Sequence, residues 1–185
     1  VHLPVQSGSD AILKRMHRPY STAKFIELVE RIRAARPGIA VTTDVIVGFP
    51  GETEENYLET RALFEKLRFD NAFIFRYSKR RGTPAAEMED AIQVPERVKE
   101  ARNQDLLALV NSIALPMYDE LVGKEVEILC EGPSKTNEAR LTGRTGSNRI
   151  VVFDGNPARH TGEIFNVRIT EAGHFTLFGD PVLQA

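Results

Sequence analysis

Gln6, Asp44 and the turn Gly48-Phe-Pro-Gly51 are where this sequence could do chemistry. Gln6 follows the short apolar run Val1 to Val5, Asp44 lies inside a second run that ends at Val47, and the glycine turn closes that second run. In parallel α/β folds ligands bind at the carboxyl ends of strands, so polar residues at such places are the first candidates for a site. An aspartate among Val41, Val45, Ile46 and Val47 is costly unless it accepts hydrogen bonds. A ribose diol would supply them; so would nearby backbone N–H groups. The turn is too short for a Walker loop and lacks its Lys-Ser/Thr, so it offers exposed backbone to a flat ligand rather than a phosphate cradle. Glu52, at the start of the next helix, reads as a favourable partner for the helix dipole. Arg18 reads either as a solvated cation at a helix end or, with two helices meeting at Pro19, as a charge turned inward toward a carboxylate.

Other chemistries have little to stand on. His2 and His17 lack the paired spacing of a metal site, and no Ser-His pair suggests nucleophilic catalysis. Cys130 is the only cysteine, which excludes an internal disulfide and any site within the chain that needs several thiolates. It sits in the apolar run Val126 to Cys130 and reads as an inert buried thiol. A net charge of −2 gives no global electrostatic case for nucleic acid, so any basic surface must be local. No apolar run approaches the ~18 residues a membrane span needs, and the expectation is a soluble, cytoplasmic protein with no membrane partner.

The elements that position these residues follow from periodicity. Val1 to Val5 predicts a strand already under way, and Asp10 begins a helix with Ile12, Leu13 and Met16 on one face. Ser21 predicts the N-cap of a second helix whose apolar positions Phe25, Leu28, Val29 and Ile32 keep helical spacing, ended by Pro37-Gly38. Ile39 to Val47 predicts a strand buried on both faces, Thr53 to Leu67 a helix, and Ala72 to Phe75 another buried strand, with a loop over Ser78 to Ala86. Alternating strands and helices of this kind make right-handed βαβ units in a parallel sheet or barrel. Pro95 to about Leu121 predicts a long helix, kinked or broken at Pro116.

Beyond Gly123 the pattern changes to short alternating segments, at 125–131, 139–144, 150–153, 164–170 and 175–178, separated by turn signals such as Gly132-Pro133 and Asp154-Gly155. This predicts a small antiparallel β-barrel of five strands and a division into domains at 1–121 and 122–185. Lys135, Arg140, Arg144, Asn148 and Arg149 cluster in two neighbouring segments of that barrel, as RNA contacts would. Against this, the seven Lys/Arg from Leu121 onward face eight Asp/Glu, so only a sided distribution would bind RNA.

Three stretches, HLPVQSGSDAILKRMHRPY, TTDVIVGFPGETEENY and FRYSKRRGTPAAEM, resemble the second half of the radical S-adenosylmethionine (SAM) core of the methylthiotransferases, and GRTGSNRIVVFDG resembles their C-terminal TRAM domain. The resemblance implies an α/β fold: the C-terminal portion of a radical SAM partial (β/α) barrel, then a TRAM-like antiparallel β-barrel that binds RNA. It also implies a longer parent enzyme whose 4Fe–4S clusters are held by cysteines outside this chain, which alone would be inactive. By the same resemblance Gln6 and Asp44 match positions around the ribose of SAM and Arg18 a position facing its methionine carboxylate. Ile46 and Gly48 match the strand motif beside the adenine, with Phe75 and Tyr77 on the next strand. The substrate implied is tRNA, as an isopentenyladenosine next to the anticodon, with threonylcarbamoyladenosine or a ribosomal-protein aspartate as other substrates within the family and a non-catalytic RNA-binding role outside it.

Overall fold

The computed structural model describes residues 1–88, 92–173 and 175–182. They form two compact units, Val1–Ile113 and Ala114–Ala185.

The first unit is organised around two parallel strands, β1 (Thr42–Val47) and β2 (Asn71–Arg76), in the register Asp44↔Phe73 and Ile46↔Phe75. Residues 1–6 run parallel along the other side of β1, touching it as bridges at His2↔Thr42 and Gln6↔Val45. The expected continuous strand is broken between these bridges, where the Thr43 hydroxyl replaces the backbone ladder. Pro4 has no N–H to give, and the Val5 N–H donates to Thr43 Oγ1 (3.0 Å) while that hydroxyl donates to the Leu3 carbonyl (2.7 Å).

Helices α1 (Asp10–Arg15), α2 (Thr22–Ala35) and α3 (Glu54–Leu67) connect these segments. Ser21 caps α2 as expected, its hydroxyl accepting from Lys24 N. Thr53 opens α3 with a capping box: Asn56 N donates to Thr53 Oγ1 (3.3 Å) and Thr53 N to Asn56 Oδ1 (3.1 Å), satisfying two N–H groups that a helix start leaves orphaned. Val29, Val45, Phe64, Phe69 and Leu106 are among the fully buried side chains of the core these helices close. The stripe on α2 is narrower than its spacing predicts, since Phe25 and Val29 are buried but Leu28 is 41 % exposed.

The strands, however, are not buried on both faces. Thr43, Val45 and Val47 pack inward, whereas Thr42, Asp44 and Ile46 are only half buried, and their neighbours on the same face of β2, Phe73 and Phe75, are 52 % and 51 % exposed. Helices cover one face of the sheet; Asp44, Ile46, Phe73 and Phe75 stand on the other.

Helix α4 (Glu96–Asp119) lends Leu106 and Val110 to the first core and Ala114 and Tyr118 to the second, which is why the division falls inside this helix rather than after it. Pro116 does not break it, because Glu120 N donates to the Pro116 carbonyl and helical bonding resumes. Within the first unit α4 also reaches β2, which has no second strand neighbour among the described residues: Asn103 Nδ2 donates to the Ile74 carbonyl (2.9 Å), and Lys99 Nζ donates to the carbonyl of Tyr77, just past the strand (3.2 Å).

The second unit is a closed five-stranded barrel of β3 (Glu125–Pro133), β4 (Leu141–Thr145), β5 (Ile150–Phe153), β6 (Ile164–Gly173) and β7 (Thr176–Pro181), in the order β3-β4-β5-β7-β6. Its pairs are antiparallel except β5 with β7, which are parallel. A one-turn helix, α5 (Pro157–His160), which periodicity does not reveal, leads from β5 to β6. Asn156 Oδ1 accepts from Ala158 N and Pro157 takes the first position. Cys130 is buried among Ile128, Leu141, Val151 and Phe153, and burial raises its pKa, keeping the thiol protonated.

Candidate functional site

The polar residues singled out at strand ends converge. A cleft of about 540 Å³ opens on the exposed face of the β1–β2 sheet, lined by Gln6, Asp44, Ile46, Phe75 and Tyr77. The loop after β2 supplies the far wall through Ser78, Arg80 and Thr83, and the turn after β1 supplies Phe49.

Gln6 is locked by β1: its N–H donates to the Asp44 carbonyl (2.8 Å) and its own carbonyl accepts from Ile46 N (2.9 Å). It holds a left-handed backbone, φ 67°, which costs a non-glycine residue about 1–2 kcal/mol. Such strain survives only where surrounding bonds enforce it. Asp44 does not turn to nearby backbone. Its Oδ1 lies 3.3 Å from His2 Nε2, and His2 Nδ1 lies 2.9 Å from Thr42 Oγ1. His2, without metal spacing, is thus Asp44's neighbour, a pairing across 42 residues that only the parallel register creates.

Ile46 and Phe75 are register partners and form an apolar floor. Tyr77 packs edge-on against Phe49, ring centroids 5.3 Å apart, with Lys99 Nζ 5.4 Å from its ring centroid. Its hydroxyl is buried and has no hydrogen-bond partner among the described residues. Burial raises the Tyr77 pKa, so the phenol stays neutral and able to donate.

Arg18 is exposed in the turn after α1 and is not on the cleft wall. Gly48 is not on the wall either. Its φ is 72° and it faces α4, where an added Cβ would collide with the stem of Lys99. The glycine turn therefore serves the fold first and the cleft through Phe49. Gly48→Ala is expected to lower stability by about 1–2 kcal/mol from the left-handed backbone alone, with more from displacement of Lys99; a thermal melt reads it.

What holds that turn is Glu52, and it is no exposed dipole partner. Its side chain is 1 % exposed, and Oε1 accepts from Gly48 N (2.8 Å) and from Arg102 Nη1 (2.7 Å). Arg102 itself is 7 % exposed, reaches Glu54 through Nη2 (3.0 Å) and lies over the Tyr57 ring. Burial raises the Glu52 pKa, opposed by the Gly48 N–H and by Arg102.

In the barrel a second concavity, about 500 Å³, is lined by Lys135, Arg140 and Arg144 with Ser134, Asn137 and Phe178. Asn148 and Arg149 do not line it. Asn148 is spent on Arg144, whose Nη1 donates to its Oδ1 (3.0 Å), and the Arg149 guanidinium lies 5.1 Å from the Tyr118 ring centroid. No cluster of His, Cys, Asp and Glu fit for a metal ion occurs among the described residues, and no helix of theirs is long and apolar enough to cross a membrane.

A family model of the radical SAM superfamily matches residues 1–64, and one of the TRAM domain matches residues 119–182. The chain joins a radical SAM segment to a TRAM domain. The radical SAM match contains Gln6, Asp44 and Ile46, and the TRAM match contains the whole closed barrel. Relatives named tRNA-2-methylthio-N(6)-dimethylallyladenosine synthase align along nearly all of it. That of Akkermansia muciniphila is 59% identical over 98% of this chain and 39% of its own length, and that of Carboxydothermus hydrogenoformans 52% identical over 97% and 40%. The Methylacidiphilum infernorum protein is 50% identical over 100% of this chain and 39% of its own length. The chain thus spans about two-fifths of the length of these curated relatives.

Proposed function

We propose that the cleft of the radical SAM segment holds S-adenosylmethionine and that the protein takes part in adding a methylthio group to C2 of an isopentenyladenosine next to the anticodon of tRNA. The observation that supports this best is the composition of the cleft. A carboxylate, an amide and an unpartnered phenol stand beside the apolar side chains Ile46, Phe49 and Phe75, with Arg76, Ser78, Arg80 and Thr83 completing the lining, a mixture of apolar surface and placed polar groups that small-molecule sites use to fix orientation. The volume lies in the ordinary range for such sites, roughly 300–1,000 Å³.

In this reading Asp44 accepts from the ribose hydroxyls, with Gln6 beside it. Ile46 and Phe75 cover the adenine face, and the Tyr77 hydroxyl donates to a polar atom of the ligand. When bound, S-adenosylmethionine supplies the carbon-centred radical chemistry of its superfamily. A 4Fe–4S cluster, in contrast, does not fit the residues present: such clusters take several thiolates, and the single cysteine, Cys130, is enclosed in the barrel. Cluster ligands belong elsewhere in the working enzyme. The barrel, with Lys135, Arg140 and Arg144 in its concavity, serves tRNA as TRAM domains do, and the enzyme works in the cytoplasm, where its tRNA is.

Mass spectrometry of tRNA nucleosides from a strain lacking the gene tests the reading. The 2-methylthio nucleoside is expected to disappear while its isopentenyladenosine precursor accumulates. An unchanged nucleoside profile would overturn it.

A further inference from the structure

Three of the barrel's surface arginines are already engaged, while Arg159 and Lys135 are exposed and carry no ion pair among the described residues. Arg140 pairs with Asp154 (2.9 Å), Arg144 with Glu131 (3.1 Å) and Arg168 with Glu125 (2.6 Å). To take a phosphate, each must first give up a carboxylate. In the radical SAM segment the balance is different. Arg80 and Arg81, in the loop after β2, are exposed, and neither guanidinium has an ion-pair partner among the described residues. Arg80 stands on the wall of the cleft itself.

The loop is also held in shape. Thr83 N and Thr83 Oγ1 both donate to the Arg80 carbonyl, at 3.2 and 2.8 Å, and Thr83 Oγ1 accepts from Ala86 N to start the single 3₁₀ turn Pro84–Ala86. Two adjacent guanidiniums on a fixed backbone can each grip a phosphate through paired N–H donors without first breaking another contact.

We propose that Arg80 and Arg81 clamp the phosphodiester backbone of the RNA substrate beside the cleft, so that a distinct share of the charge-dependent RNA affinity arises at this loop. This rests on the reading of the cleft given above.

The test is a salt titration of a fluorescein-labelled anticodon stem-loop RNA on the intact, cluster-loaded enzyme. Arg80→Ala/Arg81→Ala is expected to weaken binding about tenfold at moderate salt and to lower the slope of log K against log salt by about one per arginine. Arg80→Lys/Arg81→Lys keeps the charges and should keep most of the slope. A slope unchanged in the double alanine variant overturns the clamp, whatever Arg140→Ala/Arg144→Ala does in parallel. S-adenosylmethionine titration separates the two readings. If it binds while the alanine variant keeps the wild-type slope, only the clamp fails; if the wild-type enzyme binds neither it nor RNA, the cleft reading fails and the clamp with it.

Discussion

Arg102→Met is expected to destabilise the protein by about 3–5 kcal/mol, the usual cost of leaving one member of a buried ion pair without its partner. The cost does not come from losing an attraction alone. Glu52 would remain in a site 1 % open to water, still accepting from Gly48 N but with its charge otherwise uncompensated. The effect carries a sign in pH. Burial raises the Glu52 pKa, so the folded state takes up a proton more readily than the unfolded chain. Stability from this source is full below the ordinary glutamate range and fades as pH rises through the raised value. Arg102 opposes the rise, and without it the folded pKa climbs further. The deficit of Arg102→Met relative to wild type should therefore be small in mild acid and grow toward neutral pH. Urea titrations at both ends of that window would show it, and Glu52→Gln/Arg102→Met should recover most of the loss at neutral pH because no charge is left buried. An equal deficit at both pH values would mean that Arg102 acts by packing on Tyr57 instead.

Asp44→Asn is expected to weaken binding of S-adenosylmethionine by roughly ten- to a hundredfold. The substitution keeps volume and removes the charge proposed to accept from ribose hydroxyls. A hydrogen bond to a charged group contributes about 1.5–3 kcal/mol, and each 1.36 kcal/mol is about tenfold. The fold should survive, since the Asp44 side chain is 27 % exposed and no backbone hydrogen bond depends on it. Calorimetric titration of the cluster-loaded enzyme measures the loss, and circular dichroism confirms folding. Wild-type affinity in the variant would reduce Asp44 to a partner of His2 and remove the ribose reading of the cleft.

Much of the architecture was legible because it is written locally. Ser21 and Thr53 mark helix starts by side-chain chemistry, and the five barrel segments announce themselves by turns and alternation. The candidate cleft was legible in outline too, since Gln6, Asp44 and Ile46, picked out by their places along the strands, line one concavity. What was hidden depends on partners far apart in the chain. Glu52 looks like an ordinary first-turn acid until Arg102, fifty residues on, meets it. His2 becomes Asp44's neighbour only when residues 1–6 run parallel to β1. The open face of the sheet was missed because the run Val45-Ile-Val47 is equally apolar whether or not helices cover both of its sides. Parallel closure of β5 on β7 has no local signature at all.

The Asn103 donor that α4 sends to β2 has a consequence for aggregation. A strand without a second neighbour is a template onto which another chain can add, and proteins guard such edges by blocking them. Here Asn103 occupies the Ile74 carbonyl, and Arg76 is tied to Glu96. An incoming strand would have to displace the Asn103 amide to reach the Ile74 carbonyl. With exposed Phe73 and Phe75 on the same strand, that blockade keeps an otherwise sticky segment from seeding edge-to-edge polymers.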